Sequence, residues 1–180
     1  MRIRRENCTG LIIDIQEKLF PVIAENEALL RRCKILLEGL KILDIPTVFT
    51  QQYTKGLGPT LPEITSMYPD FRFIEKSSFS CLDDPEYHSL LEQSGRNTVI
   101  IAGIESHVCV LQTAVDLQEH GYFPVVISDC ISSRSLSEKH IALNRFTSEG
   151  IRISTAESVL FELTRYSDAA EFKAISKIIK

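Results

Sequence analysis

The sequence predicts a three-layer α/β/α protein, a mostly parallel six-stranded sheet between helices, and three observations carry that expectation. Short β-branched, apolar runs alternate with segments of helical apolar spacing about six times along the chain, the pattern of strands joined by crossover helices. The runs at 98–104 and 122–130 are largely apolar, as strands covered on both faces of a parallel sheet read. At 180 residues, 44% hydrophobic and 24% charged, the chain is expected to form one domain over 1–180. A domain of that size buries roughly 70% of the surface its unfolded chain exposes.

Taken in order, "TGLIIDIQ" (9–16) is an apolar run ending in an acid, and Asn26 to Leu43 repeats leucine and isoleucine at helical spacing. "IPTVFTQQY" gives the second strand, and "YTKGLGPT" is expected as a loop punctuated by Gly56, Gly58 and Pro59. A short strand lies near "RFIEK". "DDPEYHSLLEQSG" reads as a helix started by Asp83 or Asp84, with Pro85 in its first turn and a stop at Gly95. Thr98 to Ile104 is the fourth strand. Val108, Leu111, Val115 and Leu117 then mark an amphipathic helix that ends near His120-Gly121 and carries Cys109 in its first turn. "YFPVVISDC" is the fifth strand, "SEKHIALNRFTSEG" a helix, "IRIST" the sixth strand, and 156–164 and 168–179 close the chain as helices.

Composition excludes several classes of function. A net charge of −4 argues against nucleic acid as a partner, and the short basic cluster Arg2, Arg4 and Arg5 reads as a solvated tail. No apolar segment approaches the length of a membrane span, and the first residues lack the pattern of a signal peptide, so neither membrane nor export is expected and the location expected is cytoplasmic. Five cysteines (Cys8, Cys33, Cys81, Cys109, Cys130) without a Cys-x-x-Cys fit neither a disulfide framework nor a zinc site.

Parallel α/β sheets place their ligands beyond the carboxyl ends of the strands. Asp14, Gln51 with Gln52, Lys76 and Cys109 all fall there. Each has an ordinary alternative: a cap for Asp14, a solvated charge for Lys76, a buried filler for Cys109. Together they are an acid, a cation and a thiol on one edge, which are the parts of an activated nucleophile. A thiol in the first turn of a helix also meets the positive end of the dipole, so its pKa is expected below that of a free cysteine.

Asp14 in "IIDIQEKLF", Lys76 in "IEKSSFS" and Cys109 in "AGIESHVCVLQTAVDL" resemble the Asp-Lys-Cys triad of the isochorismatase-like cysteine hydrolases, and the likeness runs from Gly10 to about Glu157. The resemblance implies a three-layer α/β fold assembled into dimers or larger oligomers. It also implies hydrolysis of amide-like C–N bonds through a covalent cysteinyl intermediate, with backbone N–H groups of Glu105 and Cys109 as oxyanion donors and a cis peptide between Ile104 and Glu105. In these roles Asp14 exchanges the proton, and Lys76 holds Asp14 and favours the thiolate. Nicotinamidases of the family carry metal-binding histidines in the loop after the second strand. The loop "TQQYTKGLGPT" has none, and the four histidines (His88, His107, His120, His140) lie elsewhere, so neither metal nor other cofactor is expected. Within the family the loop most resembles the isochorismatase domain-containing branch.

A hydrolase of a small-molecule amide or related C–N substrate is therefore the leading expectation. Its rivals are a weakly active or non-catalytic oligomeric scaffold of the same fold and a thiol redox protein, with Cys81 as the nearest second thiol. Phe20, Gln51, Tyr53, Phe79 and Ile104 flank the strand ends and are the expected substrate pocket. Phe172, Ile175, Ile178 and Ile179 are available to cover either the chain's own core or a neighbouring copy.

Overall fold

The computed structural model describes residues 2–180. Six strands, β1 (Cys8–Ile13), β2 (Thr47–Gln52), β3 (Ile74–Lys76), β4 (Thr98–Ile104), β5 (Phe123–Ser132) and β6 (Arg152–Ser154), form one sheet in the order β3-β2-β1-β4-β5-β6. All five pairings are parallel. The order reverses at β1 and β4, and ligands of such sheets bind beside a reversal of this kind.

Among the described residues, eight α-helices accompany the strands: α1 (Asn26–Ile42), α2 (Thr54–Leu57), α3 (Pro62–Thr65), α4 (Pro85–Ser94), α5 (Leu111–Glu119), α6 (Leu136–Ser148), α7 (Ala156–Thr164) and α8 (Phe172–Ile179). Side chains alternate across each strand, and the alternation sorts the core into two layers. Ile12, Ile100, Ile104, Val125 and Ile127 pack with Leu36, Leu37 and Leu40 of α1 and Leu160 of α7. Leu11, Ile13, Val99 and Ile101 pack on the other face with Tyr87 of α4, Leu117 of α5 and Phe146 of α6. These are the two helical layers the sequence predicts.

Of the two candidate caps of α4, the fold uses Asp84, whose carboxylate accepts from the Glu86 and Tyr87 N–H groups; Pro85 follows at the first helical position and Gly95 ends the helix with φ +63°. The segment read as a plain loop after β2 contains α2, a single turn, and Leu61, Pro62 and the residues after them add a second turn, α3. Four-residue turns carry too little apolar periodicity to be seen in a sequence.

The C-terminal helix turns its apolar positions inward. Ile175 is fully buried, Ile178 and Ile179 pack against the α1 layer, and Phe172 lies beside Phe161. Of the two uses open to "FKAISKII", the fold takes the covering of the chain's own core. No helix of the described residues is long and apolar enough to cross a membrane.

Candidate active site

The carboxyl ends of β1, β2 and β3 bring together one buried ionic cluster. Asp14 follows β1 directly with φ +53°, a left-handed conformation that aspartate tolerates better than most residues and that turns the chain sharply at the strand end. Lys76 is the last residue of β3, and its Nζ lies 2.7 Å from Asp14 Oδ2, with both side chains sealed from solvent. Thr50 Oγ1 donates to Asp14 Oδ1 at 2.7 Å, and Gln52 Oε1 accepts from Lys76 Nζ at 2.7 Å. The carbonyls of Ser78 and Phe79 accept from the same ammonium at 3.2 and 3.3 Å. Four acceptors surround three N–H protons, so the ammonium has no donor to spare for a ligand.

Burial works against the Lys76 charge, but the Asp14 carboxylate beside it more than offsets this and holds its pKa above the ordinary lysine value. Burial alone would lower the pKa of an ammonium in this position. The carboxylate next to it prevents that fall.

Cys109 arrives from β4. The strand ends at Ile104, the peptide between Ile104 and Glu105 is cis, and Ser106–Val110 form a single π turn before α5 begins at Leu111. The expected first turn of an α-helix is therefore a wider one: the Glu105 carbonyl accepts from the N–H groups of both Val108 and Val110, the second closing a five-residue ring. Apolar spacing in the sequence cannot distinguish the two turns over so few residues. Cys109 is 7% exposed and packs in the α4–α5–α6 layer.

The thiol is not held as a thiolate. Burial and then the charge of the Asp14 carboxylate push the Cys109 pKa up to about 12, while Lys76 pulls it the other way. The expectation of a depressed pKa fails because it left out burial and took Lys76 to outweigh the Asp14 carboxylate, which has the larger effect of the two. The lysine charge is already opposed by a carboxylate in contact with it.

Of the five expected pocket residues, three lie in the loop or the α1 layer and two meet Lys76. Gln51 is buried, but its amide is used by the loop, donating to Thr60 Oγ1 at 3.0 Å and accepting from Thr54 Oγ1 at 2.9 Å. Strand alternation puts Thr50 and Gln52 on the triad face and Gln51 on the other. Ile104 and Phe20 belong to the α1 layer. Tyr53 and Phe79 meet Lys76 through their backbones, by the Tyr53 N–H and the Phe79 carbonyl, while their rings stand 58% and 53% exposed.

Sequence reasoning missed Thr50, Thr113 and Arg134, and placed Gln52 at the strand end without its partner Lys76. Thr50 and Gln52 were accessible through period-two alternation from the start of β2. Thr113, one turn after Cys109, accepts from the Cys81 N–H at 2.9 Å and ties the segment after β3 to the helix that follows Cys109. Arg134 binds Glu105 from beyond β5, a contact of 29 residues' separation with no local signal. Among the described residues no group of three or more His, Cys, Asp or Glu side chains is placed to hold a metal ion.

A doubly covered parallel sheet with a buried acid, ammonium and thiol at its reversal point defines an α/β protein of the isochorismatase-like hydrolase type. Residues 9–158 match the family model described as Isochorismatase domain, and the chain belongs to that family. It is 36% identical over 180 residues to the mouse isochorismatase domain-containing protein 2A, covering 99% of this chain and 85% of that one. The zebrafish (Danio rerio) isochorismatase domain-containing protein 2 is 34% identical over 178 residues, covering 99% and 89%. Among solved structures, the chain is similar to one described as the MAR1 ribonuclease of Caenorhabditis elegans, with 34% identity, a TM-score of 0.94 and coverage of 99% and 92%. The Escherichia coli YcaC gene product, described as an octameric hydrolase of unknown specificity, shares the fold at 24% identity, with a TM-score of 0.92 and coverage of 99% and 90%.

Proposed function

We propose that this protein is a cysteine hydrolase that cleaves a small amide or related C–N bond through a covalent intermediate on Cys109. The observation that carries the reading is the sealed Asp14–Lys76 pair at 2.7 Å, whose carboxylate also acts on the Cys109 thiol. In the resting state the thiol keeps its proton. As Sγ attacks the substrate carbonyl carbon, the proton passes to Asp14, the C=O π pair moves onto oxygen, and the N–H groups of Glu105 and Cys109 receive that oxyanion. Collapse of the intermediate expels the amine, which takes the proton from Asp14. Water, deprotonated by Asp14, then releases the acyl group and returns the proton to Sγ. Lys76 moves no proton; its four acceptors fix it as a constant positive charge.

The substrate is small, since Asp14 and Lys76 are fully enclosed and Cys109 nearly so. An RNA substrate, which the name of the nematode neighbour brings into consideration, fits poorly with so enclosed a triad and a net charge of −4. No metal takes part. The active form is a dimer or larger, and Val22, Leu90, Phe123 and Ile141 are among the exposed apolar side chains available to a second copy.

A screen of small amides, with an RNA included, tests the reading. Turnover of an amide that survives chelation and is abolished by Cys109→Ala is the expected result. Turnover that persists in Cys109→Ala would remove Cys109 as the nucleophile, and a protein that binds but converts nothing in a broad screen would favour the non-catalytic scaffold instead.

A further inference from the structure

Glu105 has a second attachment, made by its side chain. Its carboxylate is nearly buried, at 6% exposure, and receives three donors from one residue: the Arg134 backbone N–H at 2.9 Å, Nε at 3.0 Å and Nη2 at 2.8 Å. Burial disfavours the carboxylate charge, but the Arg134 bonds outweigh it and hold the Glu105 pKa below the ordinary value. One turn on, His107 Nδ1 lies 2.9 Å from Ser133 Oγ. The same segment is fixed from its other side, where Ser132 Oγ donates to the Ala24 carbonyl at 2.8 Å and the Ala24 N–H donates to the Ser133 carbonyl at 3.0 Å. Residues 132–134 therefore tie the entry of the nucleophile turn to the loop before α1.

We propose that Arg134 is a positioning residue for the oxyanion site: by clamping the Glu105 side chain it fixes where the Glu105 backbone N–H points, without itself touching the reacting atoms. The inference rests on the hydrolase reading above. A backbone donor works only when it is held at the place where the oxyanion forms, and small displacements are costly to catalysis. β4 ends immediately before Glu105, so sheet hydrogen bonding does not hold this residue's side. The clamp supplies a bidentate, directional restraint that a lysine cannot reproduce. With one face of the guanidinium open to solvent, at 63% exposure, the clamp spans the boundary between the buried site and water.

The test uses the whole protein and two probes of Cys109, read by mass spectrometry of its peptide. Iodoethane alkylates the thiol by displacing iodide and needs no oxyanion donor. Propionaldehyde adds reversibly: Sγ bonds to the carbonyl carbon, the C=O π bond breaks, the thiol proton ends on the new hydroxyl oxygen, and that oxygen occupies the oxyanion position. Protection from iodoethane by the aldehyde therefore reports the donors, and the unprotected rate reports the thiol. We expect Arg134→Met to weaken aldehyde protection about tenfold or more, with the iodoethane rate within about twofold of the parent. Arg134→Lys should recover part of the loss, and Glu105→Gln should resemble Arg134→Met. A purely structural role would move both probes together, with a lowered melting temperature. Unchanged protection in folded Arg134→Met, or in Arg134→Lys should the methionine variant not fold, overturns the inference while leaving Cys109 as nucleophile. Failure of Cys109 to react with either probe in the parent protein removes the hydrolase reading and the inference with it.

Discussion

Asp14→Asn separates the two effects that Asp14 exerts on Cys109. With a pKa of about 12, the parent thiol is ionised at pH 7.5 in roughly one molecule in 30,000. The carboxylate raises that pKa more than Lys76 lowers it, so an amide at position 14 leaves the ammonium's charge unopposed and the pKa falls. Each unit of fall multiplies the thiolate by about ten, while the weaker basicity of that thiolate lowers its intrinsic reactivity by about threefold, a net gain of about threefold per unit. We expect iodoacetamide to label Cys109 about threefold or more faster at pH 7.5. Turnover of any amide substrate should nevertheless drop by about 10² or more, because the proton carrier is gone. Asparagine is the right replacement because it accepts the left-handed backbone at this position, and Lys76 retains the acceptors of Gln52, Ser78 and Phe79. Losing one partner of a buried pair costs about 3–5 kcal/mol when nothing replaces it, and the three acceptors Lys76 keeps make the low end of that range the expectation. Labelling followed by mass spectrometry from pH 6 to 10, beside a melting curve, decides the matter. A folded variant whose Cys109 is labelled more slowly than the parent's would refute the electrostatic account.

Three further outcomes follow from the geometry. Burial pushes Cys8, Cys81 and Cys109 from an ordinary 9.0 up to about 12, so the unfolded chain loses these protons first; the stabilisation is complete below pH 9 and is lost as pH rises from 9 towards 12. The melting temperature should fall steadily above pH 9, and a flat profile to pH 11 would contradict the burial of these thiols. Gly103 has φ +128°, and a Cβ there would overlap the backbone of Ile13 in the neighbouring strand; Gly103→Ala should lose about 3 kcal/mol or more in urea unfolding, and a loss below about 1 would show that β1 and β4 pack less closely. Light scattering at micromolar concentration should give a dimer or larger, and a monomer would contradict the proposed assembly.

Features written in local chemistry were legible in the sequence. The six strand runs, the Pro85–Gly95 punctuation of α4 and the placement of Asp14, Lys76 and Cys109 after successive strands all come from short windows, and the fold keeps Asp14 and Lys76 in direct contact. What was not legible depends on side chains meeting across the sheet. Gln51 and Gln52 are adjacent and identical, and only the face of β2 decides that Gln52 reaches Lys76 while Gln51 serves the loop. The π turn at Cys109 is set by two bonds to one carbonyl, which no apolar spacing encodes. Arg134 lies 29 residues from its partner Glu105. The protonation state of Cys109 was misjudged for the same reason, since it is the balance of burial, one carboxylate and one ammonium, and burial is a property of the assembled fold.

That balance explains why a protonated resting thiol suits the proposed chemistry. A preformed thiolate beside Asp14 would place two negative charges against the single ammonium of Lys76 in a site with almost no solvent, and an uncompensated charge in such surroundings is expensive. With the proton on Sγ, the site holds one negative and one positive charge. When the proton moves to Asp14 as Sγ attacks, the negative charge leaves the carboxylate and reappears on the substrate oxygen, so the count stays at one against one throughout. The large constant penalty is thereby avoided, and the donors are needed only where the charge arrives. On this reading Lys76 is an invariant countercharge, which is why four acceptors immobilise it, and the tuning of the reaction falls to the groups that fix the oxyanion's place. Lys76→Met should therefore do more than raise the thiol pKa: it leaves Asp14 as the uncompensated charge, and both turnover and melting temperature should fall together. A Lys76→Met protein that keeps its melting temperature and loses only alkylation rate would show that the lysine acts on the thiol alone, and the one-against-one count would have to be abandoned.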